Sequence, residues 1–167
     1  GVVVGGYLAF KRPNVFPVKT YKELDADPLN AITNAVSKVQ EGDGVAIQYV
    51  IRPAKHTWRS LGARIVKHMS SGLTLEEAMH GKPHHGWFAS KEEIEKKKQE
   101  LTQRKMSQSE TKMVDAIGNK ISKAGMEANI RIIASSKTSE TAVMYLNNVL
   151  QAFSQFNVYE YGNSFVK

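Results

Sequence analysis

Val45-Ala46-Ile47-Gln48-Tyr49-Val50-Ile51 is the clearest strand in the chain, and what flanks it decides the fold. Its β-branched and aromatic residues suit a pleated, half-buried surface. With a period of two, Val45, Ile47, Tyr49 and Ile51 share one face and Ala46, Gln48 and Val50 the other. Gly42-Asp43-Gly44 makes a turn before the strand, and Pro53 ends it. Upstream, Asp27-Pro28 opens a helix, because Asp accepts from free first-turn N–H groups and Pro needs no donor there. Leu29, Ile32, Val36 and Val39 follow at helical spacing, and Gly42 is expected to stop that helix. Further upstream, residues 2–10 (VVVGGYLAF) read as a strand, and Pro13 and Pro17 keep the next segment irregular.

A second unit of the same kind closes the chain. Residues 128–134 (ANIRIIA) predict a strand. Ser136 or Thr138 caps a helix to about Phe156, with Val143, Leu146, Leu150 and Phe153 on one face. Residues 158–166 (VYEYGNSFV) predict a final strand. The order predicts an α+β fold, a ferredoxin-like split βαβ sandwich, with a helical insertion between strands 2 and 3. Residues 1–53 and 125–167 are assigned to the sandwich and 54–124 to the insertion. Within the insertion, Trp58 to Ser71 reads as a helix ended by Gly72, and Thr74 to Glu77 opens a short helix with a capping box. His80 to Trp87 reads as a loop. Ser90 to Glu93 caps a helix running to about Ser122, with a break where Ser107 to Glu110 offers another cap.

The 167 residues suit one domain, or one domain with an insertion. There is no Cys, which removes disulfides, thiol nucleophiles and thiolate metal sites. No apolar run reaches the ~20 residues of a membrane span, and Gly1 at the start suggests a processed chain or an excised piece. Phosphate-loop, nucleophile-elbow and zinc-protease patterns are absent from the sequence, so no catalytic residue, cofactor or metal is expected. His80, His84 and His85 are interrupted by Gly81 and Pro83 and read as a solvated loop. The net charge of +7 fits an anionic partner without naming one.

Arg52, Lys55, Arg59, Arg64 and Lys67 lie in a stretch without Asp or Glu and are the candidate anion- or partner-contacting residues. Lys96-Lys97-Lys98 is surrounded by glutamates and reads as a salt-bridged solvent face. Gln48 and Arg131 fall opposite Ile47 and Ile132, and are expected on an open face of the sheet. RNA-recognition modules share this plan but stack bases on central-strand aromatics. Asn129 to Ile133 has none, and the first strand offers only Tyr7 and Phe10, so base stacking is not expected.

Several strings carry a family resemblance. Asp27-Pro28-Leu29-Asn30, Ala46 to Pro53 (AIQYVIRP), Trp58, Ile117 to Lys123 (IGNKISK), Ile130 to Ala134 (IRIIA) and Phe153 to Asn157 (FSQFN) occur in that order. Together they resemble the region preceding the motor domain of TraG/TraD-like bacterial conjugative (type IV secretion) ATPases, over about residues 20–165. The resemblance implies a non-catalytic accessory domain for assembly or substrate docking. Its partners would be the ATPase core or neighbouring subunits, with oligomerisation open; DNA contact without sequence preference, through the basic segment, is the competing outcome. It would lie in the cytoplasm, brought to the inner face of the membrane by the parent protein. Gln48, Arg52, Pro53 and Arg131 match the pattern without an established role. A free-standing basic nucleic-acid-binding module is the alternative, and a small enzyme with an unfamiliar site a third reading.

Overall fold

The computed structural model describes residues 1–80 and 104–167, together with 90, 92, 95, 96 and 99. Its elements in chain order are β1 (Val2–Phe10), α1 (Pro28–Val36), β2 (Gly44–Pro53), α2 (Thr57–Ser70), α3 (Leu75–His80), α4 (Gln108–Ile121), β3 (Met126–Ser136), α5 (Ser139–Ala152) and β4 (Phe165–Val166). The chain divides into two compact units. One holds Gly1–Asn14, Val18–Ala54 and Met126–Lys167, and the other Val15–Pro17 and Lys55–Gly125.

The first unit is an α+β sandwich built on a four-stranded antiparallel sheet of order β2-β3-β1-β4. This is the strand order of two interleaved βαβ units. Residues of one parity on each strand face the helices: Val4 and Leu8 on β1, Val45 and Ile47 on β2, and Ile130, Ile132 and Ala134 on β3. They pack against Tyr145, Leu146 and Val149 of α5, against Phe153, and against Ile32, Ala35 and Val36 of α1. Both helices therefore cover one face. The other face carries Val3, Tyr7, Gln48, Val50 and Arg131, all exposed.

Two boundaries and one buried face differ from the sequence reading, each for a local reason. α1 starts as expected, with Asp27 Oδ1 accepting from the Leu29 N–H at 2.9 Å, but it ends at Val36. There the Ser37 hydroxyl donates to the Asn34 carbonyl, and the Val39 N–H turns back to the Val36 carbonyl. Gly42 sits in the following turn, so it does not stop the helix. Leu29 is 61% exposed, off the face its spacing predicts. α5 is capped by Thr138, whose hydroxyl accepts from the Thr141 N–H, and its buried face is Ala142, Tyr145, Leu146 and Val149, with Val143 exposed. Tyr145 can be buried because its hydroxyl donates to Asp43 Oδ2 at 3.2 Å. The last strand is reduced to Phe165–Val166, since residues 158–164 fold back, with the Val158 N–H donating to the Asn163 carbonyl.

The second unit packs α2, α3 and α4 around Ile65, Met69, Leu73, Ala78, Met113, Val114 and Ile117, with Val15 and Phe16 fully buried. α2 ends in a Schellman motif. Leu73 N–H donates to the His68 carbonyl and Gly72 N–H to that of Met69, and Gly72 takes the required positive φ of 95°. The expected capping boxes form at Thr74/Glu77 and at Ser107/Glu110, where the break before α4 falls. At Gly62 a Cβ would meet Ile121 Cγ2 at 2.5 Å and Val15 Cγ2 at 2.7 Å, so only glycine allows this close approach. The loop expected over 81–87, with His84 and His85, and the positions Glu93, Lys97 and Lys98 fall outside the described residues.

Candidate functional site

Sheet register assembles the first candidate. Antiparallel pairing sets Arg131 of β3 opposite Gln48 of β2 on one side and opposite Tyr7 of β1 on the other. Residues directly opposite in an antiparallel pair share a face. Tyr7, Arg131 and Gln48 therefore form one row across three strands, on the face away from the helices. An Arg131 Nη donates to the Tyr7 hydroxyl, and its guanidinium carbon lies 4.9 Å from the Tyr7 ring centroid. Tyr7 is 49% exposed, so the pair is held yet open to solvent. Val50 extends this face toward the end of β2 and is 55% exposed.

The basic candidates are divided between the two units. Arg52 belongs to the first unit, and its Nε donates to Glu127 Oε2 of β3 at 2.6 Å. Lys55, Arg59, Arg64 and Lys67 belong to the second unit. Arg59 donates to the Lys123 carbonyl just past α4, with its guanidinium 5.5 Å from the Trp58 ring centroid. Arg64 donates to the Met79 carbonyl in the last turn of α3 at 2.9 Å. Both arginines thus bind carbonyls at helix C-terminal ends, where cations complement the helix dipole. Lys55 and Lys67 are exposed.

A family model described as Domain of unknown function (DUF8128) matches residues 1–167. The chain belongs to the DUF8128 family. No curated protein matches it, and no solved structure does.

Two features of this DUF8128 chain escaped the sequence reading. In the sequence Tyr7 offers only a stacking aromatic. Its partnership with Arg131 depends on the β1–β3 register, which parity within single strands cannot supply. Asp43 is only a turn residue by its sequence setting, yet its Oδ2 accepts from Ser136 Oγ at 3.0 Å and from the Tyr145 hydroxyl. A hollow beside the start of α5 is lined by Glu41, Asp43, Lys137 and Thr138. The Asp43 and Thr138 oxygens there are already engaged within the fold, in the Tyr145 network and the α5 cap. Among the described residues, no group of three or more His, Asp or Glu could hold a metal ion, and no helix is long and apolar enough to cross a membrane.

Proposed function

We propose that this DUF8128 chain is a non-catalytic accessory domain of a conjugation or type IV secretion ATPase, serving assembly or substrate docking. The observation that carries the docking role is the exposed row Tyr7–Arg131–Gln48. Tyr and Arg are the side chains that most often anchor protein interfaces, and Arg131 is already positioned by Tyr7. Such preorganisation lowers the ordering cost of binding. The strings that resemble TraG/TraD-like ATPases suggest the parent class, and the partner in this reading is the ATPase core or a neighbouring subunit. The domain acts on the cytoplasmic side, at the membrane through its parent. Docking is favoured over nucleic-acid binding because Arg59 and Arg64 are committed to carbonyls of their own unit.

The test is a titration of the labelled chain with the motor domain encoded alongside it. Binding should saturate, and Arg131→Glu should weaken it by about tenfold or more, as at an interface anchor. The variant should keep the circular-dichroism spectrum and melting temperature of the unsubstituted chain. No binding, or binding indifferent to Arg131→Glu, refutes the proposal.

A further inference from the structure

We propose that the outer edge of β2 pairs with β2 of a second copy of this chain, antiparallel about a two-fold axis at Gln48. β2 is the end strand of the sheet, so one side of its backbone has no strand partner among the described residues. It is ten residues long. Its ladder to β3 runs one to one from Gly44↔Ser135 to Pro53↔Met126, with no bulge. Tyr49, Val50 and Ile51 are consecutive and 50%, 55% and 58% exposed. Monomeric proteins blunt such edges with lysines, internal prolines, bulges or shortness. β2 contains no Lys, and its one Pro is the last residue.

The pattern of β2 selects a second copy as the occupant. Facing residues must share a face, so the two-fold axis falls on a residue and not between two. Placed at Gln48, it sets Val45 against Ile51, Ala46 against Val50, Ile47 against Tyr49 and Gln48 against Gln48. Apolar meets apolar throughout, and the two amides each offer a donor and an acceptor. Arg52 is the only charged residue of the strand. Antiparallel pairing sets each Arg52 against Gly44 of the other copy and holds the two cations about 27 Å apart along the strands. Parallel pairing would bring like charges together. The other long edge, on β1, is partly occupied, since β4 pairs with Ala9 and Phe10 and the Lys167 side chain runs beside Gly6. This inference does not depend on the parent protein being an ATPase.

Sedimentation velocity on the 167-residue chain tests it. An edge-strand interface is small, so self-association is expected over about 1–200 µM. Val50→Lys should weaken it at least tenfold by placing a cation against Ala46. Adding Ala46→Glu to Val50→Lys sets opposite charges face to face on both sides of the axis and should restore the dimer. Amide exchange needs no variant, and β2 amides should slow as protein concentration rises. The proposal is overturned by a monomer across the whole range or by β2 exchange indifferent to concentration. It is equally overturned by dimers insensitive to Val50→Lys, or by a double variant that stays dissociated.

Discussion

Asp43 accepts hydrogen bonds from Ser136 Oγ and from Tyr145, whose side chain is 1% exposed. Buried hydroxyls that lose their acceptor cost more than the net value of the bond they made. Asp43→Ala should therefore destabilise the first unit by about 1–3 kcal/mol, and Tyr145→Phe by about 1 kcal/mol. Urea denaturation of the two variants checks this, and an unchanged Asp43→Ala midpoint would show that the network contributes nothing. Glu110 is the second residue with a readable consequence. The backbone N–H of Ser107 donates to its carboxylate, Arg104 adds a charged hydrogen bond, and together they hold its pKa below the usual carboxylate range. With the folded pKa depressed, the contribution is fully present above the unfolded value of about 4.3 and is lost as pH falls through the lower folded value. Glu110→Gln should therefore lower stability at pH 6 and matter progressively less in acid. Denaturation midpoints at both ends of that range measure it, and a constant difference between the two chains contradicts the assignment.

At the scale of elements, β4 shows side chains doing the work of a ladder. Asn163 is 1% exposed. Its Oδ1 accepts from the Arg12 and Ser164 N–H groups, and its Nδ2 donates to the Arg12 and Pro13 carbonyls. Asn157 Oδ1 accepts from the Phe165 N–H at 2.8 Å. These bonds fasten the two-residue strand to the end of β1, where Phe10 stacks on Phe165 at 4.9 Å between centroids. Asn163→Ala removes all four of these hydrogen bonds at a buried position and should cost about 2–4 kcal/mol. Faster amide exchange at Phe165 and Val166 should accompany it, and native-like protection there would contradict the role given to Asn163. The sequence marked this segment as a strand because Val158, Tyr159, Tyr161, Phe165 and Val166 all favour one. In place of a strand the segment forms a turn closed by backbone bonds between Val158 and Asn163 and from Gly162 to Val158, with Asn157 Oδ1 reaching across it to the Phe165 N–H.

For the whole molecule, the charge of +7 poses the question of nucleic acid directly. Arg59 and Arg64 serve carbonyls of the second unit, and Arg52 is paired with Glu127. The docking reading therefore expects no saturable affinity for a labelled duplex, even at low salt. Fluorescence anisotropy across a salt series decides it. Sequence-indifferent binding with a log–log salt slope of about −3, reduced by about one unit in Arg64→Ala, would move the function to nucleic acid.

The sequence by itself determined the element order, the α+β class and most helix starts. Each rests on local chemistry: the period of two in β2, Asp27-Pro28 before α1, the capping boxes at Thr74 and Ser107, and Gly72 after α2. It also placed Gln48 and Arg131 on the faces opposite Ile47 and Ile132, since parity within one strand is a local property. The tertiary structure decided what depends on residues distant in sequence. Tyr7 meets Arg131 through a register between β1 and β3, and Tyr145 is admitted to the core by an acceptor on Asp43. Arg59 and Arg64 are drawn from a basic run onto carbonyls at the ends of other helices. Each of these is a pairing across the chain, fixed only when burial and strand register bring its two partners together.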